Sequence, residues 1–139
     1  ESAKLHDKEK FGNLADYALC AAQWAPSVTS EGAVFGTAGN YSAIFDGEYG
    51  YVPPYQAAES SAAVIVMADA ITRANSLDKD AVRDALAATD LSTFYGQIKF
   101  SEAGNNIAKP MILRQLIDGK YYVVAPANVA TDELVYPRP

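Results

Sequence analysis

Side chains that carry most protein chemistry are nearly missing from this sequence. Its 139 residues include one cysteine, one histidine and one tryptophan. A single cysteine, Cys20, makes no intrachain disulfide, so the fold is not a disulfide scaffold and either redox compartment suits it. One histidine and one cysteine exclude a Cys₂His₂-type or His-rich metal site built from this chain. The histidine, His6, stands in the charged segment "KLHDKEK", which reads as a solvated helix face. Cys20 lies in the apolar "YALCAA". With no histidine or helix N-terminus beside it to stabilise a thiolate, it reads as an inert buried thiol. The same scarcity bears on Ser60 and Ser61: a serine nucleophile needs a base, and only Glu59 adjoins them.

Positive charge is also scarce. Lys and Arg number 11 against 17 Asp and Glu, giving a net charge of −6 and a pI near 4.6. Nucleic acid and anionic membrane surfaces are recognised by clustered Lys and Arg, so neither is an expected partner. The longest apolar run, Ala62 to Ala68, is far too short to span a bilayer. No charged segment leads into an apolar core, so no signal peptide is visible. Half the residues are hydrophobic and a fifth are charged, an ordinary globular composition. The length suits one domain or a piece of a larger one.

Along the chain, Glu1 to Lys10 reads as a charged helical stretch with no capping signal, as if begun mid-element. Ala15 to Trp24 reads as a buried strand, although its alanines also allow a helix, and Pro26 ends it. Ser27 to Gly39 is a Ser/Thr/Gly-rich loop. Asn40 to Gly50 is a short helix, capped by Asn40, with Tyr41, Ile44, Phe45 and Tyr49 on its apolar face. After "YVPPY", Tyr55 to Ala74 is the strongest helix. Its middle lacks any polar side chain, so it reads as buried on all sides. Ser76 to Thr89 is amphipathic, with Asp78 as N-cap and Leu77 stapled against Val82. A Thr-Phe-Tyr-Gly turn then enters a strand at Gly96 to Phe100. Lys109 to Asp118 and Lys120 to Val124 form a hairpin about the Asp118-Gly119 turn.

These parts do not close a two-layer domain. A small domain rarely surrounds a helix completely, so a large partner surface is missing, either another chain or the rest of this one. Nor do the polar groups build an active site. Asp78, Asp80 and Asp84 fit a cap and a solvated helix face better than a catalytic pair. "GTAGN", Gly36 to Asn40, lacks the spacing and lysine of a phosphate loop. "DGEYGYVPPY" lacks EF-hand spacing. Trp24, Tyr51 and Tyr55 stand near element ends; core packing is the first reading for each, and lining a ligand cleft, as aromatics at element ends often do, is the alternative.

The order of these features resembles the C-terminal portion of the leucine/isoleucine/valine-binding (type I) family of periplasmic substrate-binding proteins of ABC transporters. The resemblance runs from "NLADYALCAAQWAP" through "YSAIFDGEYGYVPPYQAAESSAAVIVMADAI". Its most specific piece is "NSLDKDAVRDALAATDLSTFYGQIKFSEAGNN", and it closes with "AKPMILRQLIDGKYYVVAPANVATDELVYPRP". It implies an α/β fold of two Rossmann-like lobes, of which this chain is an incomplete C-terminal part. Residues 1–30 would end the second lobe with its last core strand and a hinge. Residues 31–93 would be helices packing on the first lobe. Residues 94–139 would cross back and complete the second lobe with a β-ribbon.

The resemblance further implies an extracytoplasmic component of an ABC importer, periplasmic or membrane-tethered, and no enzyme. It would capture a small ligand (an amino acid, amide or aromatic acid) without a cofactor and deliver it to a membrane permease. A ligand-sensing receptor or regulator on the same fold is the alternative. The missing N-terminal part of the same protein would be a partner. By resemblance, Tyr55 contacts the ligand's side chain, Gln23 and Trp24 face the cleft, and Tyr51 is a further candidate. Ser60 departs from the tyrosine common in the family, so cleft size is expected to differ.

Overall fold

The computed structural model describes residues 12–139, so the charged stretch with His6 lies outside the described residues. The described residues form two compact units: residues 12–27 with 111–139, and residues 28–110. The chain passes between them at Ser27/Val28 and Pro110/Met111.

The first unit is built on a three-stranded antiparallel sheet in the order β1 (Leu19–Ala22), β6 (Ile112–Ile117), β7 (Lys120–Ala125). A 3₁₀ turn, Gly12–Ala15, precedes it. Tyr17 has a left-handed backbone, φ 69°, which breaks extended pairing and delays the strand to Leu19. The strand expected at Ala15 to Trp24 is therefore shorter. Nor is it buried throughout: Leu19 and Ala21, two residues apart on one face of the strand, are exposed. Cys20 is correspondingly half-buried rather than enclosed, with an Arg114 guanidinium nitrogen 3.9 Å from its sulfur. Asp118 and Gly119 both take positive φ, 50° and 77°, the geometry that joins tightly paired strands in a two-residue hairpin.

Ile112, Leu116, Val123 and Val124 are buried. On the opposite face of β6 from Leu116, Gln115 is fully buried and hydrogen-bonded to backbone. Its Nε2 donates to the carbonyls of Tyr17 (3.1 Å) and Val135 (3.0 Å), and its Oε1 accepts from the Val135 N–H (3.0 Å). A polar side chain belongs in that position because the tail and the segment before β1 present unpaired peptide groups there.

The second unit carries three helices and two small antiparallel pairs. Two-residue strands β2 (Glu31–Gly32) and β3 (Gly36–Thr37) pair within the segment expected to be loop. Helix α1 (Ala38–Tyr49) follows directly. Its cap is Thr37, whose hydroxyl accepts from the Asn40 N–H at 3.1 Å. Asn40 is thus inside the first turn rather than the cap. Of the expected apolar face, Tyr41 is buried, but Ile44 and Tyr49 are exposed.

Helix α2 occupies Tyr55–Ala74, the expected span. Pro53-Pro54 delimits its start, and Asn75 in the left-handed region ends it. It is not buried on all sides. Only Ala58, Ala62, Val66 and Ala70 are buried, a single stripe of spacing four. Helix α3 (Lys79–Ala87) is capped by Asp78, whose Oδ1 accepts from the N–H groups of Asp80 and Ala81. Leu77 is 85% exposed and staples nothing. Arg73 joins the two helices: its guanidinium donates to Asp69 on α2, to the Ala85 carbonyl of α3 and to the Thr89 hydroxyl.

Strands β4 (Asp90–Thr93) and β5 (Gly96–Lys99) form a hairpin. Half of what the sequence suggested as a turn is thus strand. Phe94 at its tip is buried and stacked on Tyr41, centroids 4.0 Å apart.

Candidate functional site

The four residues expected to touch ligand fall in separate units. Gln23 and Trp24, just past the end of β1, belong to the first; Tyr51 and Tyr55 belong to the second. Trp24 is 1% exposed and Gln23 half-buried. Tyr51 is exposed in an aromatic group, 5.3 Å edge-to-face from Phe45 and 6.5 Å from Tyr49. Tyr55 opens α2 and is half-buried.

Around Tyr55 the fold gathers three groups that sequence reasoning did not select. One helical turn on stands Glu59. The tip of the β4–β5 hairpin supplies Tyr95, and the segment after β5 supplies Lys109. The Lys109 ammonium sits 4.3 Å from the centre of the Tyr95 ring, a cation–π contact. Gly96 makes room for it: a Cβ there would lie 2.6 Å from Lys109 Cδ, and its φ of 139° suits glycine.

Burial shapes the electrostatics of this group. It pushes the Tyr95 phenol up to about 12, helped by the negative charge of Glu59 and by Tyr55. It also pulls the Lys109 ammonium down to about 8, with Glu59 opposing. In each case loss of water penalises the charged form, and the neighbouring charge is the smaller effect. An ammonium held over an aromatic face, a neutral phenol and a nearby carboxylate offer donors and an acceptor for polar ligand groups. The signals in the sequence were slight: a tyrosine in an apparent turn, the glycine after it, and a lysine before a proline.

The groups weighed as chemistry have structural partners. Ser61 Oγ lies 3.0 Å from the Tyr41 hydroxyl. Asp80 and Asp84 both pair with Arg83 in exposed contacts. Among the described residues, no group of three or more His, Cys, Asp or Glu is placed to hold a metal, and no helix is long and apolar enough to cross a membrane.

No protein-family model matches the chain. Among solved structures, the leucine-binding protein LivK of Thermotoga maritima matches over 85% of this chain with a TM-score of 0.72 and 24% identity. An ABC transporter substrate-binding protein of Desulfitobacterium hafniense, in complex with leucine, matches over 88% with a TM-score of 0.69 and 20% identity. The chain has part of the type I periplasmic-binding-protein fold. It spans only 33% and 39% of the length of those two structures. Both matched proteins are binding proteins rather than enzymes.

The type I fold accounts for two features of the chain. The three-stranded sheet of the first unit and the one-sided burial of α2 in the second both belong to pieces of a larger α/β architecture.

Proposed function

We propose that this chain is the C-terminal portion of an extracytoplasmic solute-binding component of an ABC importer. The observation that carries the reading is the superposition on a leucine-binding protein over 85% of the chain. The complete protein captures a small amino-acid-like ligand and delivers it to a membrane permease. No bond is made or broken in that cycle. Closure follows from ligand binding one arrangement of the units better than another.

Within this chain, Tyr55 is the ligand contact of first choice, with Tyr51, Gln23 and Trp24 as further contacts. Tyrosines in this set favour an apolar or aromatic ligand. The test is calorimetric titration of the complete polypeptide with L-leucine, L-phenylalanine and benzoate. Binding of one of them, weakened about tenfold or more by Tyr55→Ala, a loss of about 1.4 kcal/mol, supports the reading. No binding of any of the three sinks the proposed ligand class, and unchanged affinity in Tyr55→Ala removes Tyr55 from the site. Because Trp24 is buried, Trp24→Phe is the cleaner probe there; Trp24→Ala would cost packing as well.

A further inference from the structure

The cationic side chains of the second unit are of two kinds. Residues 28–110 carry five of them: Arg73, Lys79, Arg83, Lys99 and Lys109. The first four are exposed. Arg73 pairs with Asp69, Arg83 with Asp80 and Asp84, and Lys99 with Asp90, solvated pairs of the ordinary surface type. Lys109 is half-buried.

The fold holds the Lys109 ammonium in one place. Its stem runs along Gly96, where a Cβ would come within 2.6 Å of Cδ, 2.9 Å of Cε and 3.0 Å of Cγ. Its head lies over the ring of Tyr95, which is itself buried. A long, flexible side chain has thus lost its freedom before any ligand arrives, and a contact made to it costs less ordering.

The surroundings select what it can hold. Tyr55 and Glu59 lie close enough for their charges to act on the Tyr95 phenol, and Glu59 acts on Lys109 as well. One ammonium beside one carboxylate accommodates a ligand group of single negative charge. A phosphate dianion would meet Glu59 with too little positive charge opposite it. A carboxylate at the end of an apolar body that rests on Tyr55 satisfies both the charge and the aromatic wall.

We propose that Lys109 binds the carboxylate of the ligand, with Tyr95 as the platform that positions it, and that this contact makes the protein select acids over their amides. The assignment rests on the solute-binding reading and on Tyr55 as a ligand contact, and it adds the polar half of the site.

Calorimetric titration of the complete natural polypeptide tests it, with L-leucine, L-phenylalanine and benzoate each set against its own carboxamide. In the parent, an acid that binds should do so at least about tenfold more tightly than its amide, the scale of one charge-assisted hydrogen bond. In Lys109→Met the acid should weaken and the amide should not, so that the preference disappears; a purely structural role would weaken both alike. Raising the pH across the value of about 8 at which folded Lys109 titrates should weaken the acid in the parent and not in Lys109→Arg, whose cation persists. Glu59 and Tyr55 from α2 and Tyr95 from the hairpin tip are present in both proteins, so a difference between the two profiles belongs to Lys109. That comparison keeps the test decisive should Lys109→Met fail to fold. An acid that binds and keeps its preference over the amide in Lys109→Met would overturn the assignment and leave the transport reading standing. Binding of none of the three acids would overturn both.

Discussion

Replacing Gln115 with leucine removes three hydrogen bonds and almost no volume. The side chain is 1% exposed, and its bonds tie β6 to the Tyr17 carbonyl and to both peptide groups of Val135. Each such bond contributes a net ~1 kcal/mol, and a buried group left without a partner costs ~1–3 kcal/mol. Tyr17 and Val135 are half-buried, so water satisfies part of what is lost, and leucine's apolar atoms offset a further part. The expected destabilisation is ~2–4 kcal/mol, mostly from three bonds at ~1 kcal/mol each. Urea denaturation measures it as a lower midpoint with an unchanged slope. Hydrogen exchange at the Val135 amide gives the local readout: it should accelerate more than exchange in β7. A Gln115→Leu protein within ~0.5 kcal/mol of the parent, the usual range for inconsequential surface changes, with Val135 still protected, would refute the idea that this amide anchors the tail.

The remaining predictions concern the second unit. Asp78→Ala removes the acceptor for two N–H groups at the start of α3 and should cost ~1 kcal/mol, read from thermal unfolding; no change would mean the cap is replaced by water. Gly96→Ala sets a methyl against the Lys109 stem in a backbone region that resists side chains. It should lower the melting temperature by several degrees, and an unchanged melting temperature would argue against the close packing of Lys109. Stability should also depend on pH in the alkaline range. Lys109 titrates at about 8 when folded against 10.5 ordinarily. Across that window the unfolded chain holds a proton the folded chain has lost, so stability rises with pH. Tyr95 titrates at about 12 when folded against 10.0 ordinarily. Above pH 10 the folded phenol keeps a proton the unfolded one loses, so stability falls. Denaturation midpoints should therefore rise and then fall, with Lys109→Met removing the rise and Tyr95→Phe the fall. A profile unaltered by both substitutions would contradict this account of the cluster.

Much of the local structure was legible because single residues decide it. Pro53 and Pro54 exclude helix before Tyr55, and Asn75 accepts a left-handed backbone, so α2 has the expected limits. Asp78 caps α3 by its own side chain. Asp118-Gly119 takes the two positive φ angles that a tight hairpin needs. The short pairs were not legible. Two residues in β2 and two in β3 carry no periodicity, and Asp90–Thr93 became a strand through its partner β5 rather than through its own composition. The cap of α1 moved from Asn40 to Thr37 because both residue types cap well and only the path of the preceding β3 selects one.

For the candidate site, Tyr55 was proposed from its place at the start of a helix in a recognisable order of elements. Glu59, Tyr95 and Lys109 were not, because a cation–π contact between a hairpin tip and a distant lysine leaves no spacing in the sequence. The clearest division lies in α2. Composition alone made Tyr55–Ala74 a helix with an apolar middle, since Ala, Met and Ile favour that backbone and nothing in the stretch interrupts it. Composition could not choose which side faces the core, because a helix that is apolar all round has no phase. Tertiary structure made that choice: alanines at 58, 62 and 70, with Val66 between them, let one side lie close to the rest of the unit, and Val64 and Met67 were left facing outward.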